Sequence, residues 1–425
     1  MNAGAAQVDI TPQPGVELSG FAARTQPSVG VLDSLYARGL YVEDGGSRLL
    51  WLHADLIALE REFVLDLRRR IRQEFGLASS QVMVSATHTH SGPATIHLQE
   101  AGTYDADYVQ SLREPLIETA RSAVANAEPC DLAAAENRLD LAIDRRRSDR
   151  QVARPPDAPL HVGALGFRRD DGTFVAALVN YPMHAVALGP ANRQISADVP
   201  GQAAATLSAL LPGNPVVLVT NGACGNLNPP AENVPFAQVQ AWGRQVADAI
   251  LAPLLNARPM KRPPIRTAAR IVPLPLDTLS ADEIDAYASR VLTDAASLAE
   301  WGDKFRRAVE NWRQTMAAAV RRGQAVRHGD AELFAVRFGR VVMIGLNAEV
   351  FSEFADRLRA RAGRTVYVVG YANGDLGYIP TEAAYAEGGY EVEVAHLFYG
   401  GFRPRADAMK MLVDEAVRLV RELSA

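Results

Sequence analysis

Ser85-Ala86-Thr87-His88-Thr89-His90-Ser91-Gly92-Pro93 is the stretch around which the chain is organised. The apolar run Val82-Met83-Val84 before it reads as a buried strand, and Gly92-Pro93 after it ends regular structure. This places His88 and His90 at a strand end, two residues apart, where residues i and i+2 share a face. Both imidazoles then enter one space. Neutral imidazole is a good zinc ligand, so the pair either begins a metal site or is two polar strand-end groups bonded to backbone.

Outward from this stretch, composition narrows the choice. Hydrophobic residues make up 48% and charged residues 22% of the 425, the balance of a soluble globular protein with one large domain or two to three ordinary ones. A net charge of −5, with no Lys/Arg run interleaved with aromatics, argues against a nucleic-acid partner. The most apolar run, 49–59, contains His53 and Asp55, and nothing approaches the ~20 apolar residues of a membrane span. Cys130 and Cys224 are too few for a disulfide scaffold. The N-terminal residues carry neither a basic nor an apolar signal region, so the expected location is cytoplasmic, or outside the cell for a chain trimmed of its signal.

Strand patterns occur at 7–12, 35–42, 49–56, 132–143, 163–167, 173–181, 216–219, 266–272, 333–338, 341–346 and 366–369. Helical spacing occupies 61–75, 108–127, 200–211, 235–255, 280–322, 350–362 and 406–423. Trp301, Phe305, Val309, Trp312, Met316 and Val320 form a stripe that reads as helix packing. Strands and helices alternate, with some strands adjacent. This argues for an α/β fold of mixed β-sheets flanked by helices, with 259–323 as the candidate helical insertion. No internal repeat is visible.

Chemically useful residues gather at other strand ends. His184 follows the strand through Tyr181, Glu349 follows 341–346, and Tyr390 lies in Glu387-Gly388-Gly389-Tyr390-Glu391. Ligands drawn from several strand ends are how a large α/β protein builds a metal site. Asp55 and Asp198 could hydrogen-bond a ligating imidazole or be satisfied buried groups. Cys224 reads as a buried small residue, and His97, His161, His328 and His396 as structural or surface histidines.

In these residues the chain resembles the catalytic domain of the neutral ceramidase family, zinc amidases that hydrolyse an N-acyl bond. The matching stretches are Leu32 to Arg38, Ser85 to Pro93, Asn180 to His184 with Ile195 to Asp198, Asn221 to Pro229, Glu349-Val350-Phe351, and Gly370 to Asn373 through Tyr378 to Tyr390. The resemblance implies a single zinc-hydrolase catalytic domain over 1–425, without the family's C-terminal immunoglobulin-like domain. It also implies Zn2+ as cofactor, held by His88, His184, Glu349 and Tyr390. His90 then becomes a pocket residue able to protonate the leaving amine. The family's oxyanion arginine matches Arg145, with Arg146 second, inside the triplet Arg145-Arg146-Arg147. Tyr399 matches a family tyrosine, and Phe402 stands where a second would be. Asn228 in Gly225-Asn226-Leu227-Asn228-Pro229 replaces a family serine; it can donate a hydrogen bond but cannot be a nucleophile.

The expected function is therefore hydrolysis of a linear N-acyl amide, ceramide-like or smaller, by a metal-activated water. The expected partner is a small or lipid-like amide. The alternatives are hydrolysis of another carbonyl bond (ester, lactone or small amide) or a non-catalytic binding protein on the same fold. A long apolar groove lined by the 280–320 helices would favour an acyl-chain substrate, and a small polar pocket would exclude one.

Overall fold

The computed structural model describes residues 1–146, 159–260, 265–293 and 295–424. One topology occurs three times. In the first unit Asn2–Asp9, Tyr36–Asp44 and Ser47–Ala54 run antiparallel, helix Arg61–Phe75 crosses over, and Val82–Ala86 returns parallel to Ser47–Ala54. The second unit repeats this with Asp131–Arg138, His161–Arg168, Phe174–Tyr181, helix Asp198–Leu210 and strand Val216–Asn221. The third uses Ile265–Pro275, His328–Phe338, Val341–Leu346, helix Ser352–Ala362 and strand Thr365–Val369. Each unit ends in a further helix, respectively Arg113–Ala125, Phe236–Leu255 and Ala408–Glu422.

Period-2 alternation explains how the sheets stack. In Ser47–Ala54, Leu49 and Trp51 point into a central cluster shared by all three sheets, while Leu50, Leu52 and Ala54 face the unit's own helices. Val341–Leu346 behaves alike: Val341 and Met343 turn inward, Val342, Ile344 and Leu346 outward. In Val216–Asn221, Leu218 is inward and Val217 and Val219 outward. The three sheets thus enclose one apolar centre, and each carries a helix pair on its outer face. The units share this alternation but no residue pattern, which is why no repeat is visible in the sequence.

The segment 259–323 divides in two. Ile265–Pro275 is a sheet strand, and the helices Ala281–Val291 and Ala295–Arg321 are inserted between it and the next strand. Phe305, Val309, Trp312 and Met316 are buried against Leu397, Phe398 and Phe402, as helical spacing requires. Helical geometry is broken at Gly302, which has a φ of 54°. Among the described residues no helix is long and apolar enough to cross a membrane.

At the carboxyl ends of the strands, polar side chains tie the sheets together in a ring. His53 Nε2 meets Val219 O at 3.0 Å, linking the first sheet to the second. Asn180 Nδ2 donates to Val368 O at 2.8 Å, linking the second to the third. Asn373 Oδ1 accepts from Val84 N at 2.9 Å, linking the third to the first. All three side chains are buried, and burial pushes the His53 imidazole down to about 3, so it stays neutral. The Arg68–Glu332 pair reinforces the last link, because Glu332 also accepts from Asn373 Nδ2 at 3.0 Å.

Two carboxyls, Asp33 half-buried and Asp198 buried, hold the start of helix Asp198–Leu210. Asp33 takes the Ser196 hydroxyl and Ala197 N, and Asp198 takes Val199 N and Leu188 N. Burial pushes both up to about 6.

Two predictions follow from these contacts. Asn180→Ala leaves the Val368 carbonyl without its buried donor and should lower unfolding free energy by about 2 kcal/mol in urea titration; a loss under ~0.5 kcal/mol would remove Asn180 from the ring. A raised carboxyl stabilises the fold below its unfolded pKa and loses that contribution as pH rises through the folded value. The stability of the native chain relative to Asp33→Asn should therefore fall between about pH 4 and 6. A constant difference between pH 4.5 and 7 would show that Asp33 titrates normally.

Candidate metal centre

In all three units the third and fourth strands deliver their following residues to one end of the molecule. The carboxyl end of parallel strands is where α/β folds place their sites. His88 follows Val82–Ala86, His184 follows Phe174–Tyr181, and Glu349 follows Val341–Leu346. Ligand atoms of these three buried residues lie within 4.8 Å of one another.

The backbone fixes how each imidazole is presented. His88 Nδ1 stands 2.8 Å from Ile57 O, and His184 Nδ1 2.7 Å from Cys224 O. A carbonyl only accepts, so each Nδ1 carries the proton and each Nε2 is left with a lone pair. Both lone pairs face Glu349 Oε2, at 3.4 Å from His88 and 2.9 Å from His184. Burial opposes ionisation of Glu349, yet His88 and His184 hold its carboxyl well below the usual range. Burial also keeps His184 below the usual imidazole range, hence neutral. Two lone pairs and a carboxylate oxygen converging on one another form a candidate cation site. The donor set, two imidazole nitrogens and a carboxylate, suits a divalent ion.

His88 and His90 do share a space, but not as strand neighbours. The strand ends at Ala86, and His88 adopts a left-handed backbone with a φ of 55°. The turn brings His90 Nε2 to 3.2 Å from His88 Nε2. His90 Nδ1 is buried without a hydrogen-bond partner, and Gly20 packs against the ring so closely that a Cβ there would lie 2.4 Å from Nδ1. Asp55 and Asp198 touch neither ligating imidazole. Asp55 pairs with Arg38 at 2.7 Å, and Asp198 caps backbone amides. Carbonyls, not carboxylates, orient the histidines.

Phenols surround the carboxylate. Tyr399 donates to Glu349 Oε1 at 2.6 Å and lies 3.0 Å from Asp375 Oδ2. Burial and the Glu349 charge push Asp375 up to about 7. Tyr371 stacks on His88 with centroids 3.8 Å apart, and its hydroxyl stands 3.3 Å from both Glu349 Oε2 and His184 Nε2. Tyr378 pairs directly with Glu349 in a two-residue parallel ladder, so both side chains leave the same face. Tyr390 lies further out on the cavity wall, its ring 5.9 Å from Tyr378 and 5.6 Å from Trp301. The sequence reading names neither Tyr371 nor Tyr378 as a site residue; the available signal is their place in the stretch 370–390 that follows the strand 366–369.

Arg145 reaches the site through a second short ladder, Ile143–Asp144 against Leu227–Asn228. Its Nε donates to Glu391 at 2.9 Å, Nη1 to Asn228 Oδ1 at 3.2 Å, and Nη2 to Gly225 O and the Tyr378 hydroxyl at 2.9 and 3.0 Å. Of five guanidinium protons, one remains for a substrate. Arg146 instead binds Glu391 and Gly388 O, and Arg147 lies outside the described residues. The Asn228 amide is held between Arg145 and Glu232, to which Nδ2 donates at 2.8 Å. It positions Arg145. Cys224 is buried, and burial pushes its thiol up to about 12, consistent with an inert small residue.

These groups open into a cavity of about 930 Å3. Phe21, Leu98, Trp301 and Phe398 make its apolar wall; Arg145, Asn228 and Glu391 line its polar side. Among the described residues Trp301 is what the inserted helices contribute, and the lining there forms neither a long groove along 280–320 nor a small polar pocket.

Known proteins share this fold. A sequence model described as neutral/alkaline non-lysosomal ceramidase, N-terminal, matches residues 1–214. The neutral ceramidase of Pseudomonas aeruginosa is 25% identical over 218 residues, 47% of this chain and 32% of that protein. Neutral ceramidase B of Dictyostelium discoideum is 22% identical over 219 residues, 47% of this chain and 30% of its own length. The matched region thus spans about a third of each curated relative. The crystal structure of the Pseudomonas aeruginosa neutral ceramidase superposes with a TM-score of 0.77 at 20% identity, covering 99% of this chain and 74% of that one. A ceramidase complexed with C2 gives a TM-score of 0.76 at 19% identity, covering 99% and 75%. The fold is therefore that of these enzymes, mixed β-sheets flanked by helices. With half of its 425 residues matched by the family model, the chain belongs to the neutral/alkaline non-lysosomal ceramidase family.

Proposed function

We propose that the protein is a zinc-dependent hydrolase of linear N-acyl amides, ceramide or a smaller relative. The observation that carries this reading is the convergence of the His88 and His184 lone pairs on Glu349 at the foot of a cavity with one apolar and one polar wall. His88, His184 and Glu349 would hold the ion. When bound, zinc supplies a Lewis acid and a water acidified towards pH ~7.

The protein's own groups account for the rest of the chemistry. Tyr399 anchors Glu349 through Oε1, leaving Oε2 to face the two imidazoles. The apolar wall takes the acyl chain, and the polar side takes the amine half. Arg145, fixed by four hydrogen bonds, keeps one N–H to stabilise negative charge developing on the acyl oxygen. His90 faces the cavity beside His88 and is placed to hand a proton to the departing amine. A fourth ligand would be a phenol. The resemblance points to Tyr390, but the ladder that pairs Glu349 with Tyr378 favours Tyr378.

Metal content by plasma mass spectrometry, on protein purified without added metal, is the direct test. About one zinc per chain is expected; no zinc, with none taken up on addition, would leave a binding protein on a ceramidase fold. Glu349→Ala should lose both metal and turnover of N-acyl amides. His90→Ala should retain metal and lose turnover by about 100-fold or more; release of the metal would make His90 a ligand. Tyr378→Phe should weaken zinc retention against a chelator more than Tyr390→Phe does. The reverse order would restore Tyr390 as the fourth ligand.

A further inference from the structure

The three histidines of the centre are not held alike. His88 and His184 are each pinned by a ring N–H on a backbone carbonyl, whereas His90 Nδ1 is buried without a partner. His90 Nε2 meets His88 Nε2 at 3.2 Å, and that lone pair is already directed at Glu349. The orientation of the His90 ring therefore comes from its backbone and from what packs on it. Its N–H is taken by Ala185 O at 3.1 Å, and its carbonyl by Arg24 Nη1 at 2.9 Å. The Arg24 guanidinium also lies 5.1 Å from the Phe21 centroid, and Phe21 packs edge-on against His90 with centroids 4.8 Å apart. Backbone and packing thus lead to one side chain.

Arg24 spends its other donors on backbone as well. Nη1 donates to Ser19 O at 3.2 Å, Nη2 to Gly189 O at 3.1 Å and Nε to Asn192 O at 2.8 Å. It ties together the loop of Gly20 and Phe21, the His90 turn and the 189–192 loop, all three of which line the cavity. The side chain is buried, and among the described residues no carboxylate pairs with it. Burial pushes it down to about 10, so it stays charged at neutral pH. A buried cation satisfied only by neutral carbonyls is costly. What it provides is a rigid planar fork that reaches several segments at once, which a lysine, a point donor, does not. Lys304 of the inserted helix donates to Arg24 O at 2.7 Å, fixing the backbone from which the fork extends.

We propose that Arg24 is the positioning residue of His90, setting the imidazole that faces the cavity without itself touching substrate or metal. This rests on the reading of His90 as the group that hands a proton to the departing amine.

The test is a double-mutant cycle on the full chain, Arg24→Met with His90→Ala, read as zinc content and as kcat and KM for an N-acyl amide. Methionine keeps an unbranched chain against Phe21 and removes the fork. Arg24→Met should retain zinc, leave KM within about twofold and lower kcat about tenfold or more. In the His90→Ala background it should cost less than about twofold, because both substitutions remove one arrangement. Equal losses in the two backgrounds, a change confined to KM, or loss of zinc would make Arg24 a general brace and overturn the proposal. Arg24→Lys, which keeps the charge and a donor, guards against a folding defect; it should lose kcat at unchanged zinc, and a native kcat would overturn the proposal. A second readout needs no turnover. The nuclear Overhauser contact between the His90 and Phe21 rings in the metal-free chain should be lost in Arg24→Lys and Arg24→Met, and its persistence would overturn the proposal. Turnover unchanged by His90→Ala would overturn the proton-donor reading instead, with the ring contact still deciding Arg24.

Discussion

Two imidazoles and a carboxylate turn their lone pairs toward one another, and the rest of the structure is built to enforce that. In an unconstrained chain this arrangement would relax, because each acceptor prefers a donor. Here the protons of His88 and His184 are committed to the carbonyls of Ile57 and Cys224, and Tyr399 occupies the far oxygen of Glu349. Each of those three partners lies in a loop that follows, or packs against, the end of a strand. The tautomers are thus set by the fold before any ion arrives, which is the usual way a metal site acquires its orientation. A low dielectric strengthens both the repulsion without a cation and the attraction with one.

The ring of side-chain contacts between sheets explains how such a centre tolerates strain. His88, Tyr371 and Asn373 all have left-handed backbones, with φ of 55°, 54° and 67°. For residues with a Cβ, each costs on the order of 1 kcal/mol and persists where surrounding contacts over-determine it. Asn373 is bonded to Val84 N and to Glu332, and Glu332 is held by Arg68 from the first unit. Tyr371 is pressed flat against His88. These two left-handed segments therefore brace each other across the joint between the first and third sheets.

Much of this was legible in the sequence, and the exceptions have one cause. Apolar runs and 3.6-residue stripes located the strands and helices, because inward and outward residues of each buried strand are both apolar and each helix buries one face. The strand-end positions of His88, His184 and Glu349 were readable for the same reason. What the sequence hid is register between segments far apart in the chain. The pairing of Glu349 with Tyr378 joins two segments of the third unit, and the stacking of Tyr371 on His88 depends on how the third sheet closes against the first. The shared space of His88 and His90 was expected from strand alternation, yet a left-handed turn produces it. Carboxylates at 55 and 198 were open to two readings, partner of a histidine or satisfied buried group, and the second holds: backbone carbonyls orient the imidazoles, supplied by the loops that follow the neighbouring strands.

Asn228, which the resemblance sets where the family has a serine, acts through its neighbours. A serine at this position would offer a small hydroxyl to the cavity. The larger amide instead spans from Arg145 to Glu232, accepting from one and donating to the other. It thereby fixes a guanidinium that Glu391, Gly225 and Tyr378 already hold. A cation so restrained loses freedom to follow different substrates, but its remaining N–H is aimed before substrate arrives, which is what stabilisation of a developing oxyanion requires. Under the proposed function, the amide at 228 therefore bears on which substrates fit beside Arg145, while the convergence of His88 and His184 on Glu349, built from other loops, is left intact.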